Sequence, residues 1–285
     1  MKKTAIVTGA DGGMGTEITR AVAQAGYRVI MLCYTQQKGE LRRDQLIKET
    51  GNKDIELVQI DLASLASISE KAEVLLQKVD SLDLLMNNAG TMATRFTTTV
   101  DGIERTVAVN YLAPYLLTRL LLPRMHAGTR IVNMVSCTYA IGKIGPHFFE
   151  RGTEGSFWRI PIYSNTKFAL WLFTKALSDK LKERGITVNA ADPGVVSTQI
   201  IHMNMWFDPL TDLFFRPCIR TPRQGADMAI RLLLDDAYEG KTGGMYVSKH
   251  QRKLKPIYLN HPQMNLLWQK TEELLNRKGY LQKEK

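Results

Sequence analysis

Short runs of β-branched and aliphatic residues recur along the chain, separated by longer stretches with helical periodicity. The apolar runs predict strands at 3–8, 28–33, 55–60, 82–86, 129–135, 186–191 and 243–247. Between them, 14–25, 39–50, 65–79, 101–123, 162–184 and 222–235 space their apolar positions as amphipathic helices do. Strands that alternate with helices call for a parallel sheet covered on both faces. "LDLLM" (82–86) and "RIVNMV" (130–135) hardly alternate, as expected of strands buried on both sides. The expected fold is therefore α/β: a doubly wound parallel sheet in three α/β/α layers.

No internal repeat, Pro-rich linker or low-complexity block divides the chain, which predicts one domain over 1–250. Two stretches, 139–161 and 199–221, are too irregular for simple crossovers and read as loops beside a binding site. Residues 251–285 form an extension expected to pack on that domain, being too short for a core of their own. Within it, "MNLLWQKTEELL" (264–275) puts Leu266, Leu267, Leu274 and Leu275 near one helical stripe, with Trp268 beside it. A lone helix of that length is marginal in water, so it should dock. The docking place is open between the loop after Thr198, the sheet edge and a second subunit.

Composition narrows the class. Of 285 residues, 44% are hydrophobic and 23% charged, the balance of a soluble globular protein. No stretch approaches the roughly 20 apolar residues of a membrane span, and the N-terminal run is too short for a signal peptide. Cys33, Cys137 and Cys218 are too widely spaced for a disulfide framework or a zinc site, which points to a reducing, cytoplasmic setting. The net charge of +10 raises the question of nucleic acid. Much of it lies at 249–285, nine Lys/Arg against three Glu, interleaved with apolar residues and without an aromatic–basic pattern. That is a solvated basic tail, so no nucleic-acid partner is expected.

Candidate chemistry begins at "TGADGGMG" (Thr8–Gly15), between the first strand and the first helix. Gly9 permits a tight turn, Gly13 lets a pyrophosphate approach the backbone, and Gly15 lets the helix pack on the strand, with Asp11 and Met14 on the same turn. The turn does not stand alone. Asp61-Leu62 ends the third strand, "NNAG" (87–90) the fourth, and Asn110 lies in the next helix. Ser136 ends the fifth strand, "YSNTK" (163–167) opens a helix, and "PGVVST" (193–198) follows the sixth strand. All fall at the carboxyl ends of strands or in the helices that follow, where ligands bind in open α/β sheets.

In this order and spacing the chain resembles the short-chain dehydrogenase/reductase family over residues 3 to about 250, with a Rossmann-type sheet. Its long 139–161 segment and its extension are most similar to the retinol-dehydrogenase-like branch. The pair Tyr163 and Lys167 is spaced i, i+4 and shares a helix face. A free tyrosine titrates near pH 10, and a nearby ammonium favours the phenolate, so Tyr163 is expected to be general acid in reduction and general base in oxidation. The resemblance implies that Lys167 also holds the nicotinamide ribose, that Ser136 orients the substrate oxygen, and that Asn110 holds a water linking Lys167 to solvent. It further implies adenine contacts from Asp61 and Leu62. Ribose and backbone contacts fall to Asn87, Ala89 and Gly90, and the nicotinamide contacts to Val196 and Thr198 of the motif that begins Pro193-Gly194. Two departures stand out: Cys137 occupies a place where a second Ser is common, and the interval from Ser136 to Tyr163 is long.

No carboxylate ends the second strand, where one would repel a 2′-phosphate. Cys33-Tyr34-Thr35 stands there, and the Arg frequent at the position of Tyr34 is missing. Lys38, Arg42 and Arg43 either reach a phosphate or form a solvated helix face, and Tyr34 is placed to stack on adenine. NADP(H) is the favoured cofactor, with NAD(H) as the alternative, and no metal is expected. The irregular segments carry His147, Phe148, Phe149, Phe157, Trp158, Ile160, Met203, Met205, Trp206, Phe207, Phe214 and Phe215, which suit a bulky hydrophobic alcohol or ketone. Some of these side chains equally serve to anchor loops, and Arg159 and Arg220 equally suit an acidic substrate group. The competing reading is a catalytically silent dinucleotide-binding regulator, which would not need all of Asn110, Ser136, Tyr163 and Lys167. A homo-oligomer is left open.

Overall fold

The structure, a computed structural model, describes residues 2–145, 148–149, 157–196 and 220–281. Its strands are β1 (Thr4–Thr8), β2 (Arg28–Cys33), β3 (Ile55–Gln59), β4 (Leu82–Asn87), β5 (Met125–Met134), β6 (Thr187–Asp192), β7 (Met245–Val247) and β8 (His250–Gln251). They form one sheet in the order β3-β2-β1-β4-β5-β6-β7-β8, parallel throughout except for the β7–β8 hairpin. The order reverses between β1 and β4, and the crevice for a ligand opens at that switch point.

The helices are α1 (Gly13–Gln24), α2 (Gln36–Thr50), α3 (Leu65–Lys78), α4 (Arg105–Val107), α5 (Ala113–Leu121), α6 (Arg159–Leu181), α7 (Pro222–Leu234), α8 (Pro256–Leu259) and α9 (Gln263–Arg277). Local chemistry fixes their ends. Ser64 accepts from Ser67 N to cap α3, Thr221 and Gln224 form a capping box on α7, and Gly51 closes α2 at φ 72°. The single helix expected over 101–123 is broken: a π-turn, Ala108–Leu112, joins α4 to α5 and carries Asn110.

Residues that alternate along each strand enter two cores. Ala5, Val7, Val29 and Met31 pack with Ile18, Leu46 and Leu232 of α1, α2 and α7. Ile6, Ile30, Leu32 and Leu85 pack with Ile68, Leu117 and Trp171 of α3, α5 and α6. This is the expected three-layer arrangement.

The segment after β8 adds to the second core. Leu267, Trp268, Leu274 and Leu275 of α9 are buried there. Trp268 lies 5.1 Å from the Tyr115 ring and is flanked by the cations of Arg119 and Lys180. Thr271 bonds the Tyr111 hydroxyl at 2.7 Å, and Trp171 donates to Tyr258 O at 2.9 Å. The helices of the extension therefore lie on the α5–α6 face; the loop after Thr198 lies outside the described residues. No helix among the described residues is long and apolar enough to cross a membrane.

This docking predicts the effect of one truncation. Trp268→Ala should lower stability by about 3–5 kcal/mol, the cost of emptying a large aromatic site in a core. Urea unfolding measures it, and a midpoint equal to the parent's would mean that α9 does not dock on α5 and α6.

Candidate active site

At the switch point the β1–α1 turn meets the exit of β4. Gly9 has φ +61°, a left-handed conformation suited to glycine. A Cβ on Gly15 would sit 2.0 Å from Gly9 O, so only glycine lets α1 start so close to the strand. The helix begins at Gly12 with no side-chain cap and no acidic residue in its first turn. Its first amides and dipole therefore face an incoming anion, and the cradle fits a pyrophosphate. Gly13 also meets a distant segment. Its Cβ would point at Pro222, 3.2 Å from Cγ, so its bareness admits the start of α7. Met14 and Val196 meet α7 as well: a Cβ on Gly225 would lie 2.5 Å from Val196 Cγ2 and 3.0 Å from Met14 Sδ.

Thr8 Oγ1 accepts from the amides of Asn88 and Ala89, each at 3.0 Å. Asn88 returns the contact, donating to Thr8 O at 3.0 Å and Gly9 O at 3.2 Å. Sequence reasoning missed both as site residues; the doubled Asn of "NNAG" was the available signal. Asn87 turns the other way. Its buried amide donates to Asn133 Oδ1 at 2.8 Å and Thr118 Oγ1 at 3.0 Å, so that side chain braces the sheet.

Beyond the ends of β2 and β3, Tyr34 is exposed, and Asp61 Oδ1 accepts from Ala63 N at 2.8 Å, with Leu62 packed partly into the core. No carboxylate ends β2, but Asp11 of the first turn lies beside its last residue. Asp11 faces Cys33, whose thiol is pushed up to about 12 by burial and by the Asp11 charge. Asp11 Oδ2 also lies 3.4 Å from Lys38 Nζ. Arg42 bonds Gln45 and Arg43 pairs with Asp44 along α2.

The catalytic candidates come together at the ends of β4 and β5. Lys167 is buried in α6, and its Nζ donates to Met134 O at 2.8 Å. Tyr163, one turn earlier, faces Ser136, whose hydroxyl favours the phenolate, and its ring centroid is 5.7 Å from Lys167 Nζ. Asn110 accepts from Thr91 N at 2.8 Å and donates to Thr91 O at 2.8 Å and Thr166 Oγ1 at 3.1 Å. Gly90 lies between them: its Cβ would be 3.4 Å from Lys167 Nζ and 3.5 Å from Asn110 Oδ1. The electrostatics differ from the expectation that the ammonium lowers the phenol. Burial pushes Tyr163 up to about 12, with the Ser136 hydrogen bond opposing, and pushes Lys167 down to about 8. Desolvation is the largest cause at both groups, and the ammonium is directed at a backbone carbonyl.

Pro193 and Gly194 follow β6, with Gly194 at φ 72°. Thr198 lies outside the described residues, as do His147, Met203, Met205, Trp206, Phe207, Phe214 and Phe215. Of the apolar side chains expected near a substrate, Phe148 is a core residue, 5.5 Å from the Tyr111 ring, whereas Trp158 and Ile160 are exposed. Arg159 and Arg220 are directed at backbone, donating to Met92 O at 3.3 Å and Pro193 O at 3.1 Å. A cavity of about 130 Å³ lies between Ile144, Phe148 and Phe149 on one side and Gln263, Leu266 and Leu267 on the other. The extension thus borders the segment that starts at 139.

The short chain dehydrogenase family model matches residues 3–205. Mouse retinol dehydrogenase 11 is 36% identical over 246 residues, covering 86% of this chain and 77% of that protein. Human retinol dehydrogenase 12 is 33% identical over 275 residues, covering 96% and 86%. A blue fluorescent protein from a metagenomic library, solved in complex with NADPH, superposes with a TM-score of 0.68 at 26% identity, covering 87% of this chain and 96% of that one. A doubly wound sheet, a glycine cradle at its switch point and this extent of similarity make the chain a member of the short-chain dehydrogenase/reductase family, in its retinol-dehydrogenase-like branch, and so a nicotinamide-dependent oxidoreductase of CH–OH groups.

Proposed function

We propose that the protein is an NADP(H)-dependent oxidoreductase that interconverts a carbonyl and a primary or secondary alcohol on a bulky hydrophobic molecule of steroid, retinoid or aryl ketone type. The observation that carries this reading is the buried Lys167, its Nζ 5.7 Å from the ring of Tyr163, whose phenol faces Ser136. The retinol dehydrogenases among its relatives support a retinoid-sized substrate. A small-molecule partner is the reading throughout, with 1–250 as the catalytic unit and 251–285 packed on it.

When bound, the nicotinamide supplies or accepts the hydride. Tyr163 gives the proton to the carbonyl oxygen in reduction and removes it from the hydroxyl in oxidation. Ser136 orients that oxygen, and Lys167 and Asn110 hold the ribose side and the proton path. Gly9, Gly15 and the open start of α1 cradle the pyrophosphate. Lys38 is the cation placed for a 2′-phosphate, while Asp11 in the same corner opposes one, so the preference for NADP(H) is a balance between the two.

Replacing Tyr163 by Phe should cost on the order of 10²- to 10⁴-fold in turnover and leave NADPH affinity near the parent's. A panel of hydrophobic alcohols and carbonyls, read by nicotinamide absorbance, tests this. Near-parent turnover of an accepted substrate would remove Tyr163 from its role.

The pH dependence follows from the raised phenol. At neutral pH Tyr163 is protonated, the form that donates in reduction, so the oxidation rate should climb from neutral to alkaline pH while reduction does not. Initial rates in both directions decide it, and an oxidation rate that falls over that range would contradict it.

NADPH should bind more tightly than NADH, and neutralising Lys38, Arg42 and Arg43 together should shrink the gap. Fluorescence titration gives both values of Kd. Equal affinities in the parent would count against the preference.

A further inference from the structure

One buried charge beside this site has no part in the mechanism above. Asp192 ends β6 and is fully buried. Oδ1 accepts from Gly194 N at 3.0 Å, which accounts for one oxygen as a turn cap. Oδ2 is buried with no hydrogen-bond partner among the described residues; 3.5 Å away stands Nη2 of Arg252. Arg252 follows β8 and belongs to the extension. Its guanidinium lies 5.7 Å from the Tyr139 ring centroid, and its Nη1 donates to the Tyr139 hydroxyl at 3.4 Å.

The sheet places this pair next to the chemistry. Met134, whose carbonyl holds Lys167, pairs with Ala191, and Val135 N donates to Ala191 O at 2.9 Å. Asp192 therefore leaves β6 alongside Ser136 at the end of β5. Its negative charge acts on both members of the α6 pair, favouring the Lys167 ammonium and opposing the Tyr163 phenolate. Burial raises the Asp192 carboxyl, and the groups facing it hold its charge against that: the Gly194 and Cys137 amides and the cations of Arg252 and Arg220. A buried carboxylate with a half-satisfied shell is costly, and a turn cap alone would need only one of its oxygens.

We infer that Asp192, held by Arg252 of the C-terminal extension, is a positioning residue that sets the charge balance at the Lys167–Tyr163 pair. The inference rests on the catalytic reading proposed above. Asp192 makes both groups hold their protons more tightly, and Arg252 offsets it. The extension thus acts on the reaction through one guanidinium.

The two partners should move the pH profile in opposite directions, which loss of packing would not do. The measurement is the rate of retinol oxidation with NADP⁺ against pH, or of benzyl alcohol if retinol is not turned over. Asp192→Asn should shift the alkaline-rising midpoint to lower pH, and Arg252→Gln should shift it to higher pH, each by about one unit, or tenfold in rate at a fixed pH below the midpoint. Opposite shifts support the inference. Unmoved midpoints, or shifts of one sign, overturn it even if both rates fall. If Asp192→Asn does not fold, Arg252→Gln on the partly exposed arginine decides alone: an alkaline shift supports the inference, and an unmoved midpoint overturns it. Parent-like turnover by Tyr163→Phe is a separate result that would remove the catalytic reading itself.

Discussion

A lysine ammonium in the interior is the constraint around which this site is built. Lys167 is buried among apolar residues of α6, and a cation taken out of water is costly unless its donors are met. Met134 O meets one of them at 2.8 Å, and that bond pins α6 across the end of β5. Once α6 lies there, Tyr163 falls one turn earlier beside Ser136. Gly90 lies where the chain leaves β4: a Cβ there would be in van der Waals contact with both Lys167 Nζ and Asn110 Oδ1. The π-turn at Ala108–Leu112 then sets Asn110 against Thr91 and Thr166. The phosphate cradle at the switch point is locked to the same strand exit by Thr8 and Asn88.

Burial does two opposed things at this site. It excludes water from the groups that handle the proton, and it pushes Tyr163 and Lys167 toward their neutral forms. In such surroundings a few nearby charges carry weight that they would lack in solvent. Asp192 and Arg252 are those charges on the β6 side. The extension reaches the site region in two ways, through Arg252 and through α9, whose Thr271 bonds Tyr111, the neighbour of Asn110. Its packing on the α5–α6 face therefore bears on more than stability.

The strands and most helices were legible in the sequence because their apolar runs are buried on both faces and their spacing is regular. β8 was not, since the β7–β8 hairpin turns on Ser248 and Lys249 at positive φ, residues that give no turn signal. The break at Asn110 was equally hidden, because a π-turn changes the hydrogen bonding without interrupting the apolar pattern. Gly15 is legible as a helix-packing glycine, whereas the contact of Gly13 with Pro222, more than two hundred residues away, is not. Spacing placed Tyr163, Lys167 and Ser136 near one another, but it could not weigh desolvation against an ammonium. Asp11 beside Cys33, and Asp192 beside Arg252, are meetings of distant segments that no local motif records.

The central claim is that these residues assemble a working hydride-and-proton site, and isotope transfer tests it most directly. The protein is incubated with NADPH deuterated at the transferring carbon of the nicotinamide ring and with retinal or an aryl aldehyde, and the alcohol is examined by mass spectrometry. The account predicts deuterium on the carbinol carbon of the product in the parent protein. Tight NADPH binding with no label transferred to any carbonyl of the panel would contradict it, and would leave a dinucleotide-binding regulator in its place.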